Sequence, residues 1–290
     1  MKDASTNSTL LSFSAKYIKF LRATRSKSYC RDNEAAFEWI SGKFGDVALD
    51  TIKVADLEQV FAVEFARARH HAARMYRTLK AGFSKAVAWG ELRSNPFQQF
   101  KLPRIPERST PYLRADDLDK LLPHIGAKDL RLLIRFAFYT GMRQGELLNL
   151  TWGSVDFTQR TIRVSNSDDF TTKSKRERIL PANSTLMEIL DQIKMNSANV
   201  SATGHVFQRN GKKINGNYLS RQFKKGVRLA ALDERLHFHS LRHSFASNLI
   251  AAGVNPIHVQ KLLGHSNLST TLRYTHVQLD DLRDAVGRLD

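Results

Sequence analysis

HSLRHSFAS, residues 239–247, places a histidine and an arginine at the start of a helix predicted over 241–252. The arginine, Arg242, offers a planar fork of N–H donors that pairs with phosphate oxygens. The histidine, His239, can donate a hydrogen bond or move a proton near neutral pH. This stretch therefore predicts a helical region whose first turn handles an anionic group.

Two motifs that follow add the remaining reactive groups. LLGHSN, residues 262–267, supplies His265, and TTLRYTH, residues 270–276, supplies Tyr274. Hydrophobic spacing predicts helices on both sides of His265. A tyrosine hydroxyl can act as a nucleophilic oxygen. One arginine, two histidines and a tyrosine on neighbouring helices are suited to attack on a phosphodiester.

A third motif lies about one hundred residues earlier. TGMRQGE, residues 140–146, places Arg143 just past a glycine at a helix junction. Glu146, three residues on, lies on the same helical face and is expected to orient the Arg143 guanidinium. The polar bend 172–176 separates two short predicted strands, which would put Lys173 at a hairpin tip.

The charge of the chain favours a polyanionic partner. Its 290 residues carry a formal net charge of +17. Residues 1–112 contain 19 basic and 11 acidic residues, a net +8, and residues 113–290 contain 26 and 17, a net +9. Basic charge on both halves suits a clamp around a DNA duplex, where phosphate contacts supply most of the affinity. Charge alone also fits a ribosome-associated protein, so the motifs decide between the two.

Cysteine content and hydropathy indicate the compartment. Cys30 is the single cysteine, which excludes an intramolecular disulfide framework and fits a reducing cytoplasm. The first residues show no signal-peptide pattern, and no apolar run approaches the roughly 20 residues needed to span a bilayer. We expect a cytoplasmic protein that has no membrane partner and is nucleoid-associated when bound to DNA.

A proline-rich stretch divides the chain. Residues 101–112 contain three prolines, which predicts a stiff, extended linker. Residues 1–100 carry four helical patterns and are expected to form a small helical DNA-binding domain. Basic residues of its fourth helix are candidates for phosphate contacts, although a solvated helix face is equally expected of each: Arg74, Arg77, Lys80 and Lys85.

Residues 113–290 are expected to form the second domain. Helices are predicted over 116–122 and 129–140, with another after Gly141. Short β-branched segments over 154–157, 160–164 and 178–180 predict a small antiparallel sheet. The chain is predicted to be helical again from Ser184 onward. The fold class is thus mainly α, with two domains and a small antiparallel sheet in the second.

Taken together, the motifs resemble the signature of the tyrosine recombinases, also called the phage integrase family. The resemblance covers about 113–280, and the helical region before the linker more loosely resembles the family's core-binding domain. It rests on six residues in the family's order: Arg143, Lys173, His239, Arg242, His265 and Tyr274. The eight-residue distance from Lys173 to Pro181 favours Lys173 over its rival Lys175.

The resemblance implies a reaction. Tyr274 would attack the phosphodiester and form a 3′-phosphotyrosyl link, with Arg143 and Arg242 holding the non-bridging oxygens. Lys173 would protonate the departing 5′ oxygen. His265 would donate to the phosphate, and His239 would either donate to it or accept the tyrosine proton. Neither a metal, nor ATP, nor another cofactor would be needed.

Partners follow from the same resemblance. The substrate would be a double-stranded DNA recombination site, bound by a homo-tetramer that is a monomer or weak dimer when free. Accessory DNA-bending proteins are compatible with such an assembly. The spacing of apolar residues over 279–289 predicts a C-terminal helix that docks on its own domain or on a neighbouring protomer.

Three alternatives stay open. A type IB topoisomerase uses similar chemistry, although the motif contexts favour a recombinase. A DNA-binding regulator with this fold would lack catalysis, against which the intact Arg143, Lys173, Arg242 and Tyr274 argue. A metal site at His239 and His243 is disfavoured because neither cysteine nor a convergent carboxylate accompanies them. Among recombinases, the integrase of a mobile element or prophage is preferred over a chromosome-dimer resolvase.

Overall fold

The computed structural model describes residues 8–106, 110–165, 177–197 and 200–274. The chain divides into two compact units, Met1–Arg108 and Ser109–Asp290. The predicted C-terminal helix lies outside the described residues. That the first unit binds DNA and the second is catalytic stays a prediction at this point.

The first unit is a four-helix domain with an aromatic core. Thr9 and Ser26 cap the first two helices by accepting hydrogen bonds from Ser12 N–H and Tyr29 N–H. Five phenylalanines are fully buried among these helices and the chain that follows them: Phe13, Phe37, Phe61, Phe83 and Phe97. The helices are α1 (Leu10–Thr24), α2 (Lys27–Phe44), α3 (Val54–Arg67) and α4 (Arg69–Ala88).

The second unit is mainly helical. Its core helix α6 is buried along most of one face and packs against α10, which also packs against α11. The helices are α5 (Ala115–Leu121), α6 (Lys128–Thr140), α7 (Gln144–Leu148), α8 (Ser184–Met195), α9 (Gly216–Leu229), α10 (Ser240–Ala251), α11 (Pro256–Leu263) and α12 (Ser269–Leu272). The predicted class, mainly α with a small antiparallel sheet, is confirmed.

The predicted three-stranded sheet is present in the second unit. Strands β1 (Val155–Asp156), β2 (Thr161–Val164) and β3 (Arg178–Pro181) pair in this order, all antiparallel. Ile162 of the middle strand faces both Val155 and Leu180 across the ladder. Ile162 and Leu180 are buried, as expected for the core-facing side of a sheet that is covered on one face.

A second, two-stranded sheet corrects the expectation that the chain from Ser184 onward contains only helices. Strands β4 (Gln208–Arg209) and β5 (Lys212–Lys213) form a hairpin. Its two turn residues, Asn210 and Gly211, both have positive φ, at 51° and 71°. Asn-Gly between two strands is the strongest short sequence signal for such a turn, so the signal was present in the sequence and was missed.

Within the described ranges, no helix combines the length and apolar content needed to cross a membrane.

Candidate active site

Arg242 lies in the first turn of α10 and is almost fully buried. Its guanidinium donates from Nη1 to the Gly141 carbonyl oxygen at 2.8 Å and from Nη2 to the Leu263 carbonyl oxygen at 2.6 Å. These oxygens lie at the C-terminal ends of α6 and α11, where carbonyls lack helical partners and the helix dipole is negative. Burial, reinforced by the positive charge of Arg143, lowers the pKa of Arg242. Two backbone contacts thus fix the orientation of the guanidinium.

Gly141 allows this arrangement because it has no side chain. It ends α6 with φ 60°, and a Cβ built there would lie 2.5 Å from Cδ1 of Phe245 and 2.9 Å from Cδ2 of Leu263. Leu263 supplies the other carbonyl that holds Arg242. The glycine therefore permits both the left-handed turn and the close approach of α10 and α11.

We expect Gly141→Ala to destabilise the protein by about 2–5 kcal/mol, the sum of overpacking and left-handed backbone strain. Gly253→Ala is the matched control, because Gly253 also has positive φ (78°) but has no heavy atom within 4 Å of the added Cβ. It should lose only about 1–2 kcal/mol. Thermal unfolding of both variants measures the difference, and equal losses would contradict the packing argument.

Glu146 links two arginines at the base of the site. Its side chain is fully buried, and it accepts from Arg143 N–H and Nη1, both at 2.9 Å. Arg178 of β3 donates to the two Glu146 oxygens from Nη1 at 3.1 Å and Nη2 at 2.7 Å. A two-point contact of this kind fixes the relative orientation of the two groups. Glu146 thus holds Arg143 as predicted, and also holds Arg178, which sequence reasoning missed.

Arg178 further ties this pair to α11. Its Nε donates to the Leu262 carbonyl oxygen at 2.8 Å, one residue before the carbonyl that holds Arg242. Burial alone would raise the pKa of Glu146, but the hydrogen bonds and charges of Arg178 and Arg143 outweigh burial and lower it to about 2. Glu146 therefore stays ionised, and it fixes Arg143 between α7 and the sheet.

His265 follows the left-handed turn at Gly264 that ends α11. Its Nδ1 lies 2.8 Å from Oγ1 of the buried Thr271, and its backbone carbonyl accepts from Gln260 Nε2 at 3.1 Å. Partial burial lowers the pKa of His265 to about 4, and the positive charges of Arg242 and other nearby cations act in the same direction. The imidazole is therefore neutral near pH 7.

Tyr274 is half-buried two residues beyond α12 and packs against a small apolar cluster that includes Val259 and Leu263. Its hydroxyl lies 2.7 Å from Nδ1 of His243, and the two ring centroids are 5.6 Å apart. Burial raises the pKa of Tyr274, although the charge of Arg242 acts in the opposite direction. The sequence motifs did not indicate the contact between His243 and Tyr274.

His239 occupies the N-cap position of α10 and is exposed. Its ring lies edge-on to that of His243, with centroids 5.1 Å apart, and beside that of His237 at 6.4 Å. Partial desolvation and these positively chargeable neighbours lower the pKa of His239 to about 4. Among the described side chains, it is His243 and not His239 that hydrogen-bonds Tyr274. The described part of the chain brings no three His, Cys, Asp or Glu side chains together as a metal site would require.

The remaining predicted residues are distributed as follows. Lys173 and its rival Lys175 lie outside the described residues. Arg74 and Arg77 of α4 are exposed. The ammonium groups of Lys80 and Lys85 instead lie over aromatic rings of their own unit, Tyr76 for the first and Phe20 and Trp89 for the second.

The lowered histidine pKa predicts how stability depends on pH. The pKa of His265 falls from 6.5 to about 4 on folding, so between these values the unfolded chain takes up a proton that the folded chain does not. Stability contributed by the neutral ring is therefore present above pH 6.5 and is lost as the pH falls toward 4. We expect the melting temperature to drop between pH 7.5 and pH 5, and His265→Gln to reduce this drop. His124→Gln, at an exposed position of the same unit, is the control, and an unchanged pH dependence in His265→Gln would refute the prediction.

Comparison with known proteins identifies the family of this chain. Residues 111–280 match the phage integrase family. The chain belongs to the phage integrase family, the tyrosine-type site-specific recombinases. The resemblance drawn from its motifs is thereby confirmed.

Named tyrosine recombinases are similar over most of this recombinase chain. A tyrosine recombinase of Thermosipho africanus is 31% identical over 220 residues, which cover 74% of this chain and 75% of that protein. The tyrosine recombinase XerC of Xanthomonas axonopodis pv. citri is 26% identical over 290 residues, or 92% of each chain.

Solved structures of integrases share the fold. The Tn1549 transposon integrase in complex with a circular intermediate DNA aligns with a TM-score of 0.83 over 97% of this chain and 99% of that chain, at 24% identity. A lambda integrase in a tetramer bound to a Holliday junction aligns with a TM-score of 0.75 over 91% of this chain and 80% of that chain, at 21% identity. These likenesses concern the fold of the recombinase.

Proposed function

We propose that this recombinase cleaves and rejoins DNA through a 3′-phosphotyrosyl link on Tyr274, and that it integrates or excises a mobile element or prophage. The observation that carries the proposal is an excess of buried positive charge beside the Tyr274 hydroxyl.

The charge excess favours an anionic substrate. In the described part of the site, two mostly buried arginines, Arg143 and Arg178, share the carboxylate of Glu146. The third, Arg242, is almost fully buried and is held by two backbone carbonyls instead of a carboxylate. Desolvated cations that lack a counter-charge are costly. The lowered pKa of Arg242 reflects that cost, because burial and Arg143 are its leading causes. A phosphodiester bound between Arg143 and Arg242 would relieve it.

The same groups suit the transition state. The Arg242 guanidinium has five N–H donors and directs two of them to carbonyl oxygens, so the others are available for non-bridging phosphate oxygens. Arg143 is held on Glu146 by one edge and remains partly exposed. Donors held in place before the reaction stabilise the charge that builds during phosphoryl transfer without further reorganisation. His265 would donate to the same phosphate from Nε2 while Nδ1 faces Thr271.

Lys173 and His239 complete the proposed mechanism. Lys173, which lies between β2 and β3 along the chain, is proposed as the general acid for the 5′ oxygen. His239, exposed at the N-terminal end of α10, is proposed to donate to the phosphate. With the arginines supplying the positive charge and the covalent link conserving the bond energy, the proposed cycle uses neither metal nor ATP.

DNA binding is proposed for both units. The net charge is +8 before residue 113 and +9 after it, so both parts of the chain carry positive charge that favours contact with phosphates. In the first unit, Arg74 and Arg77 are the stronger candidates for phosphate contacts because their side chains are exposed. Lys80 and Lys85 are weaker candidates, since contacts with aromatic rings already hold their ammonium groups.

The proposed oligomeric state follows from the number of Tyr274 nucleophiles that strand exchange requires. Exchange between two duplexes requires four cleavages and each chain supplies one Tyr274, so we propose a homo-tetramer on two recombination sites. The likeness to an integrase tetramer bound to a Holliday junction supports this arrangement. The free protein would be a monomer or weak dimer in the cytoplasm, with accessory DNA-bending proteins as optional partners. The fold match to a transposon integrase supports the mobile-element role.

Covalent capture tests the proposed function. The protein would be mixed with nicked duplexes selected for binding from a randomised pool, in which cleavage releases a short strand and prevents religation. We expect a protein–DNA adduct on a denaturing gel, with the DNA attached to the peptide that contains Tyr274. The absence of an adduct, or attachment elsewhere, would overturn the proposal.

A further inference from the structure

The nearest described side chain to the nucleophilic oxygen is a histidine that the family signature of this chain does not include. His243 Nδ1 lies 2.7 Å from the Tyr274 hydroxyl, although 31 residues separate the two along the chain. His239, the histidine of the HxxR motif, lies one turn earlier on α10, with its ring 5.1 Å from that of His243. The structure thus places His243, and not His239, at the reacting oxygen.

We propose that His243 is the general base that accepts the Tyr274 proton when the tyrosine attacks DNA. The inference rests on the proposed role of Tyr274 as nucleophile. It gives His243 a catalytic role and leaves His239 free to donate to the phosphate.

Atoms and charge balance in this step. The Tyr274 O–H bond breaks and an Nδ1–H bond forms on His243, while the phenolic oxygen bonds to phosphorus and the bond from phosphorus to the 5′ oxygen breaks. The 5′ oxygen takes its proton from the general acid, proposed as Lys173. On religation the 5′ hydroxyl attacks and gives its proton back to Lys173, the tyrosine oxygen leaves, and His243 returns the proton to it. No proton is consumed over the full cycle.

Packing holds the pair together. Tyr274 lies in the apolar cluster formed by α10 and α11, and His243 is half-buried on α10 beside it. Helices α10 and α11 therefore hold the two rings next to each other, so the Tyr274 hydroxyl already lies beside its hydrogen-bond partner before the reaction. A short hydrogen bond in a partly desolvated setting also lets the proton transfer with little solvent reorganisation.

The charged groups around His243 set its protonation before the reaction. Arg242 and His237 face it from its own helix and the preceding turn, the ring of His239 contacts it edge-on, and Tyr274 faces it from beyond α12. Burial first, and then His237 and Arg242, lower the pKa of His243, so the ring is neutral and ready to accept a proton near pH 7. The negative charge that develops on the phosphate then stabilises the imidazolium that forms.

Cleavage kinetics of His243→Asn test the proposal. Asparagine keeps a hydrogen-bonding atom near the position of Nδ1 but cannot take up a proton. On the nicked duplexes described above, we expect cleavage to slow by about 10²–10⁴-fold near pH 7, the range typical of a general base. The rate should then recover as the pH rises toward the tyrosine pKa, because solvent hydroxide replaces the base. A fluorinated tyrosine at position 274, with a more acidic hydroxyl, should also reduce the defect.

The controls separate this role from its rivals. His124→Asn makes the same change at an exposed histidine of the same unit and should cleave at the wild-type rate. His239→Asn should cleave slowly without recovery at high pH. If His239→Asn shows the recovery and His243→Asn does not, or if His243→Asn cleaves within about threefold of wild type, the proposal is wrong.

A second measurement does not depend on the variant folding. Nitrogen-15 NMR of the histidine side chains of the wild-type protein should show Nδ1 of His243 unprotonated near pH 7, with a shift that changes in Tyr274→Phe. A proton resident on Nδ1 would overturn the proposal. Failure of the proposed function looks different, because the wild-type protein itself would then form no adduct through Tyr274.

Discussion

Tyr274→Phe is expected to abolish the covalent protein–DNA adduct and all recombination. Phenylalanine keeps the ring that packs with Val259 and Leu263, so the fold around position 274 should persist. What is lost is the oxygen that would bond to phosphorus and its hydrogen bond to His243. Specific DNA binding should stay within about threefold of wild type, because one neutral hydroxyl adds little to an interface of many phosphate contacts. Adduct formation is measured on a denaturing gel and binding by gel shift.

A matched tyrosine serves as the control. Tyr139, half-buried at the end of α6, packs against the core of the same unit. Tyr139→Phe removes the same atom from a tyrosine that takes part in none of the site contacts given above, and it should leave the adduct yield unchanged. An adduct that persists in Tyr274→Phe would mean that another residue attacks the DNA.

The second large effect is expected from the buried arginine. Arg242→Ala removes the guanidinium that two carbonyls hold in place, and with it the charge that would neutralise the transition state. Arginines with this role in phosphoryl transfer contribute about 10³–10⁵-fold to the rate, so cleavage should fall by that amount. Arg228→Ala, at an exposed arginine of α9 with an ion pair to Glu234, is the control and should cleave normally. Single-turnover cleavage measures both.

A modified substrate separates this charge effect from acid catalysis. Sulfur in place of the bridging 5′ oxygen leaves without needing a proton. It should therefore restore cleavage by Lys173→Ala but not by Arg242→Ala. Restoration of Lys175→Ala instead of Lys173→Ala would identify Lys175 as the acid, and restoration of Arg242→Ala would show that the arginine assists the leaving group.

The contacts that sequence analysis anticipated are local ones. Glu146 and Arg143 are three residues apart, and helical geometry alone predicts that they meet. Arg178 joins the same carboxylate from 32 residues away, through a strand whose position depends on the packed sheet. A buried glutamate with two arginine partners cannot be read from spacing, because the second partner depends on tertiary structure.

The Tyr274–His243 pair shows the same limit. The motifs identified the tyrosine, but the direction in which its hydroxyl points depends on the turn after Gly264 and on the short helix α12. The spacing of His239 and His243 along one helix did not indicate which of them would face the tyrosine. The β4–β5 hairpin was not predicted either, but here the cause was not tertiary structure, because its Asn-Gly turn was visible in the sequence.

The last turn of α11 contributes main-chain atoms to the site: Leu262 and Leu263 present carbonyl oxygens to Arg178 and Arg242. Carbonyl oxygens are common to all amino acids, so mutations that change these side chains while preserving helix packing leave the acceptors in place. An insertion or deletion of one residue between 256 and 264 has the opposite effect, because it rotates the helix end by about 100°. Both guanidinium groups would then lose their contacts with α11 at once. For protein engineering, the side chains of this turn can be replaced, but the number of residues in the helix cannot be changed.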